Sequence, residues 1–222
     1  MRVILVDNGT LYKKKVLRLL QEMDVVAVAH QEIDLDILKQ DFDLIVLTGA
    51  YNSNSVKYYG DKLWAKEQEL IRAAKVPLIG ICLGAQLIAY NYGAKLSFVP
   101  GGKRLKGLKR IWNVKKTPFD FFRYYGATVF NSQRWRITEL PSVLDCWCAS
   151  NEGVEVFRHI KKPIYGLQFH PERRLGKNDG AKIFFSIVKL ETGFESKLLS
   201  EPEVQNAAKV RSNASLKSVQ TR

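Results

Sequence analysis

Cysteine is scarce in this sequence: Cys82, Cys146 and Cys148 are the three thiols of a 222-residue chain. An odd, small number of thiols in a chain of this size argues against a disulfide framework and for a reducing, cytoplasmic setting. Long apolar runs are also missing. No window approaches the roughly 18 consecutive apolar residues that cross a bilayer, so no membrane partner is expected. The opening MRVILVDNG is too short in its apolar run for a signal peptide and reads as a first strand. No P-loop or other nucleotide-binding pattern occurs. Helix-turn-helix, RRM and zinc-finger patterns are absent too, so nucleic acid is not an expected partner. Acidic residues are missing from 101–116, GGKRLKGLKRIWNVKK, which holds seven basic residues within a formal charge of +13. KKK at 13–15 adds three more. Such a segment is either a solvated face or a docking surface for an acidic partner or anionic substrate.

What is present fits one globular domain, with 46% hydrophobic and 26% charged residues. Strand and helix signals alternate through the first half: RVILVD, then TLYKKKVLRLLQEM with Leu11, Val16, Leu19 and Leu20 near one stripe, then VVAVAH and DLIVLTG. The helix DKLWAKEQELIRAAK and a strand over Val76–Ile81 follow. This rhythm predicts an α/β fold with a mostly parallel central sheet flanked by helices. Sites in such sheets gather at the carboxyl ends of the strands. The second half reads as short strands that add an antiparallel part: GLKRIWNV, ATVFNS, VLDCWCAS, GVEVFRH and PIYGLQFH. AKIFFSIVKL closes as a helix. One domain is therefore expected over residues 1–192, and the polar stretch 193–222 is expected to be a mobile or partner-binding tail.

Residues 77–87, PLIGICLGAQL, place Cys82 at a strand-to-helix corner, with Gly80 and Gly84 relieving crowding and Gly93 stopping the helix after Ala85–Tyr92. A thiol at a helix N-terminus is biased toward the nucleophilic thiolate, and the free N–H groups there accept a developing oxyanion. The competing reading is a small buried hydrophobe. A nucleophile wants a base and the base wants an orienter. The chain has three histidines. His30 and His159 read as incidental, whereas His170 ends a strand and is followed two residues later by Glu172, whose side chain shares its face in an extended segment. Cys146 and Cys148 would also share a strand face. No further ligand completes a metal set around them, so packing in the core is expected, with neither metal nor cofactor.

GICLGAQL followed by GLQFHPE some ninety residues later, after an early LTGA, strongly resembles the class I (triad) glutamine amidotransferase family. Gly80, Cys82, Gly84 and Gln86 match its G-x-C-x-G-x-Q motif, and His170, Pro171 and Glu172 match its His-Pro-Glu motif. The resemblance covers about residues 2–190 and implies a flavodoxin-like fold. It implies that Cys82 attacks the carboxamide of glutamine while His170 moves protons and Glu172 orients His170. Backbone N–H groups of Ala50 and Leu83 would hold the oxyanion. Gly49 and Gln86 would contact substrate, and Ser132 and Gln133 would lie in the stretch that recognises its amino-acid end. Gly49-Ala50-Tyr51 departs from the family's Gly-Gly-Pro; alanine keeps its N–H, but its Cβ restricts the backbone.

The resemblance also implies an ammonia-accepting synthetase subunit in trans. VDNGTLY and the compact length look most like the separate glutamine-hydrolysing subunit of GMP synthase, although Ser132-Gln133-Arg134-Trp135 departs from that subfamily's Ser-His-x-Asp. The polar run YNSNS after Ala50 would let the oxyanion loop hold its N–H away until the partner binds. A stand-alone γ-glutamyl hydrolase or peptidase, or a non-catalytic binding module, are the alternatives.

Overall fold

The computed structural model describes residues 1–51, 62–119, 126–173 and 178–198. Its centre is a run of short, apolar strands: β1 (Arg2–Asp7), β2 (Asp24–Ala29), β3 (Leu44–Leu47), β4 (Leu78–Ile81) and β11 (Ile164–Leu167). All four residues of β3, β4 and β11 are buried. Strands covered on both faces need apolar side chains on both faces, which is why they read as unbroken rather than alternating runs. In β1, Val3 and Leu5 enter one core while Ile4 and Val6 enter the other.

These five strands pair in parallel in the order β2-β1-β3-β4-β11. The sheet then turns antiparallel through β10 (Gly153–His159), β9 (Leu144–Ser150), β6 (Leu105–Asn113) and β7 (Ala127–Gln133). One layer holds α2 (Ala65–Ala73) and α3 (Leu83–Asn91), whose Leu70, Ile71, Leu87 and Ile88 fill one core. The other holds α1 (Lys13–Leu19) and α4 (Gly180–Thr192), with Val16, Leu19, Phe184 and Ile187 in the second core. The expected α/β class with a mixed sheet is the observed one.

Several local expectations are corrected. Helix α1 begins at Lys13, so Leu11 lies outside it and is 67% exposed rather than part of the buried stripe. Helix α3 starts immediately after Cys82, and β4 begins at Leu78 rather than Val76. Gly93 does end the α3 segment with φ 90°. Two further strands, β5 (Lys95–Phe98) and β8 (Trp135–Glu139), pair with each other, and β8 also pairs with β10.

Strands β9 and β10 change register twice, so Trp147 and the neighbouring Cys148 both enter the same core while Cys146 stays half-buried. The simple alternation expected to put the two thiols on one face is broken by this irregularity. Burial pushes the Cys146 thiol up to about 11 and the Cys148 thiol further in the same direction. At the far end, α4 closes at Gly193, in the left-handed conformation with φ 72°. The chain stays docked past the expected boundary. Phe194 packs on the core, Leu198 is buried, and the Glu22 carboxylate accepts the N–H groups of Lys197 and Leu198. The rest of the expected tail, 199–222, lies outside the described residues.

Candidate active site

Strand β4 lies between β3 and β11, with Gly80 opposite Leu47 on one side and Gly166 on the other. The carboxyl ends of three adjacent parallel strands therefore deliver Gly49, Cys82 and His170 to one place. Main-chain bonds lock the corner together: Cys82 N–H donates to Leu167 O at 2.8 Å, and Gly84 N–H donates to Thr48 O at 3.2 Å. The two glycines are there for close approach. A Cβ on Gly80 would lie 2.5 Å from the Gly84 carbonyl carbon, and one on Gly84 would lie 2.6 Å from Leu47 O.

Cys82 has φ 52° and ψ −101°, and it is the one non-glycine residue with positive φ among the described residues. Such a backbone costs about 1–3 kcal/mol and persists where surrounding contacts enforce it. The result is a strained elbow that presents the thiol at the start of α3, a helix buried along Leu83–Ala89. The Leu83 and Ala50 N–H groups take no acceptor among the described residues. Both remain available to an oxyanion.

His170 is held by its own N–H donating to Phe130 O at 2.8 Å, and its Nδ1 lies 2.7 Å from Glu172 Oε1. Cys82, His170 and Glu172 are all buried, at 5%, 4% and 2% exposure. Burial alone would push the His170 imidazole down. The Glu172 carboxylate and the adjacent Cys82 sulfur outweigh it and hold the imidazole well above its usual range. With Nδ1 on Glu172, Nε2 is the nitrogen left to address the Cys82 sulfur, which helps raise the imidazole although Nε2 completes no hydrogen bond among the described residues. Gly49 faces both groups: a Cβ there would lie 3.2 Å from His170 Cε1 and 3.3 Å from Cys82 Cβ.

The remaining expected residues occupy a neighbouring buried polar cluster. Gln86, on α3, donates from Nε2 to Trp135 O at 3.0 Å and to Gln168 Oε1 at 3.1 Å, so at this nitrogen it ties α3 to β8 and to the end of β11. Ser132 and Gln133 lie at the end of β7, both buried, with Ser132 Oγ and Gln133 Nε2 unsatisfied. Gln133 Oε1 accepts from Asn131 Nδ2, which also donates to the buried Glu155 carboxylate. His30 and His159 stay away from this chemistry. His30 stacks on Trp64, and His159 Nδ1 accepts the N–H groups of Lys161 and Lys162.

Some residues around the site were not singled out by sequence reasoning. Tyr12 meets the His170 ring edge-on at 5.3 Å, and the Arg173 guanidinium lies 4.2 Å from the Tyr12 ring centre and 4.7 Å from that of Phe130. Asn8 and Glu67 join Thr48 in a buried network beneath Gly49. Asn8, Tyr12 and Thr48 fall in VDNGTLY and LTGA, so strand-end position was their available signal. Glu67 had none, lying in the first turn of α2 among charged residues. The described part of the loop after β3 ends at Tyr51, whose N–H donates to Gly9 O at 3.2 Å; residues 52–55 of the expected gate lie outside the described residues.

Known proteins resemble this chain in sequence and in fold. The glutamine-hydrolysing GMP synthase subunit of Methanococcoides burtonii is 28% identical over 86% of this chain and 96% of its own length. The carbamoyl phosphate synthase small chain of Bacillus cereus is 32% identical over 93% of this chain but 54% of its own length. The crystal structure of the corresponding putative GMP synthase subunit from Thermoplasma acidophilum superposes with a TM-score of 0.72 at 25% identity, covering 93% of this chain and 98% of that one. The family described as glutamine amidotransferase class-I matches residues 4–190. The chain belongs to the class I glutamine amidotransferase family.

Proposed function

We propose that the chain hydrolyses the side-chain amide of glutamine through a thioester on Cys82 and passes the ammonia to a separate synthetase subunit. The observation that carries this reading is the strained Cys82 elbow facing a His170 already oriented by Glu172 at 2.7 Å. The Cys82 thiolate attacks the amide carbon, and the oxyanion settles on the Ala50 and Leu83 N–H groups. His170 gives its Nε2 proton to the leaving nitrogen as the carbon–nitrogen bond breaks. It then takes a proton from water, which cleaves the thioester to glutamate and frees the sulfur. Glu172 keeps the tautomer correct throughout. Gly49, Gln86, Ser132 and Gln133 shape the pocket for the rest of the substrate.

For the acceptor we favour a synthetase of the GMP synthase type, because relatives named as separate glutamine-hydrolysing GMP synthase subunits match over most of their length. Three unpaired thiols, one of them the nucleophile, suit the reducing cytoplasm. We assign the partner-docking role to the outward face of β6. There Lys106, Leu108, Arg110 and Trp112 are exposed on alternate positions, while the lysines at 109 and 115 pair with Glu152 and Asp145. Basic groups interleaved with exposed apolar side chains fit an acidic protein surface that also offers apolar contact.

The experiment is glutamate release by the purified chain, alone and with candidate synthetase partners. Cys82→Ala is expected to fall to background, while Cys146→Ala and Cys148→Ala keep turnover. Amination of a nucleotide acceptor by an ATP-using partner would support the GMP synthase assignment, and stimulation by a chorismate-using enzyme would redirect it. Full turnover without any partner would favour a self-sufficient γ-glutamyl hydrolase or peptidase. No turnover under any condition would leave a binding module.

A further inference from the structure

The Ala50 N–H and the Gly49 carbonyl belong to one planar peptide unit, so whatever fixes the carbonyl also aims the N–H. The Gly49 carbonyl is held. The Thr48 hydroxyl donates to Gly49 O at 3.0 Å. That hydroxyl is itself fixed, because its oxygen accepts the Asn8 N–H at 2.9 Å. A hydroxyl has one proton to give, and here the accepted bond leaves that proton directed at Gly49 rather than free to rotate.

The support continues inward. Asn8 Nδ2 donates to Thr48 O at 2.9 Å and to Glu67 Oε1 at 3.0 Å. Thr48 and Glu67 are wholly buried and Asn8 is 4% exposed. Thr48 N–H also donates to Val6 O at 3.0 Å, continuing the β1–β3 pairing one residue past the strand. The relay therefore crosses from α2, through the loop after β1, to the residue next to the oxyanion peptide.

From this geometry we infer that Thr48 is a positioning residue, its hydroxyl latching the Gly49–Ala50 peptide so that the Ala50 N–H points at the oxyanion, with Asn8 and Glu67 holding the latch. The inference rests on the proposed glutamine hydrolysis and adds to it a residue that never touches substrate. In a buried relay every member is costly to lose, because the remaining groups are left unsatisfied. Turning the peptide over would break the Thr48–Gly49 bond. A partner that relaxed the relay would alter the rate without moving Cys82.

The test compares Thr48→Val with Thr48→Ser in the full chain, together with any synthetase partner found to be required. Valine keeps the shape but removes the hydroxyl; serine restores it. Thr48→Val is expected to lower kcat by at least about tenfold, toward the roughly 10²–10³ that loss of an oxyanion donor costs. KM should stay within about twofold, because the interaction lost is one made in the transition state. Thr48→Ser should recover most of the rate. Alkylation of Cys82 by iodoacetamide, which needs no oxyanion hole, should proceed equally in all three proteins and so report an intact thiol site. A Thr48→Val enzyme with wild-type kcat would overturn the inference. So would equal losses in the valine and serine variants, or a rise in KM that accounts for the whole effect. If the unsubstituted chain fails to hydrolyse glutamine, the underlying reading fails instead, and the two failures are distinguishable.

Discussion

At the scale of single residues, burial of ionisable groups sets a pH dependence of stability. Glu67 accepts the Asn8 amide from a fully buried position, and burial pushes its carboxyl up to about 8. In the unfolded chain the same carboxyl titrates near 4.5. Between those values the folded protein holds a proton that the unfolded chain has released. Stability therefore falls as pH rises through that window, by up to about 1.4 kcal/mol per pH unit. Glu155, pushed up to about 7 by burial, adds a decline of the same sign over a narrower range. Glu67→Gln keeps an acceptor for Asn8 without the ionisation. Chemical denaturation between about pH 5 and about pH 8 should show a shallower loss of stability in the variant, its advantage growing with pH. Parallel pH profiles for the two proteins would show that Glu67 does not titrate differently on folding. The grouping of Cys82 with His170 and Glu172 was legible in the sequence because Cys82 and the His170–Glu172 pair each sit in a short local pattern. Glu67, Asn8 and Tyr12 were not, because their partners lie tens of residues away and their side chains are common surface types.

At the scale of elements, the elbow depends on how closely α3 approaches β3. Gly84→Ala would place a methyl 2.6 Å from Leu47 O and 2.7 Å from Leu47 Cβ, where backbone rather than a flexible side-chain tip must yield. We expect a stability loss of about 1–3 kcal/mol, the usual cost of overpacking. A fall in kcat should accompany it, because the same displacement moves Leu83 and the Cys82 corner. Thermal unfolding and glutamate release, measured on one preparation, would check both; an alanine variant unchanged in each would deny the close contact. The parallel strands were readable because burial on both faces leaves an unbroken apolar run. Strands β5 and β8 escaped notice because KLSF and WRITE are short and mix polar with apolar residues. Their pairing with each other defines them more than their composition does. The register changes between β9 and β10 were equally hidden, since alternation in sequence cannot reveal an extra residue supplied by the partner strand.

At the scale of the whole molecule, charge is unevenly placed. Lys103, Arg104 and Lys106 form no ion pair among the described residues, and Leu108 and Trp112 beside them are 44% and 45% exposed. Replacing the three basic residues with serine should weaken partner-stimulated glutamine hydrolysis and flatten its dependence on salt, while leaving the unstimulated rate intact. Stimulation unchanged at every ionic strength would return the segment to a solvated face. The sequence made this patch visible as a run without acids, but it could not tell the outward lysines from those paired with Glu152 and Asp145. The sheet order has a consequence for how the molecule is made. Strand β4, which leads into Cys82, has β3 as one neighbour, but its other neighbour, β11, is synthesised only after β5 to β10. Until then β4 offers an open apolar edge, and His170 does not yet exist on the nascent chain. A ribosome-bound fragment ending before β11 would therefore be inert toward glutamine and sticky at that edge. On the proposed hydrolysis, ammonia would be released only once β11 slots into the middle of the sheet, so the gain of activity and the loss of the exposed edge would be one event.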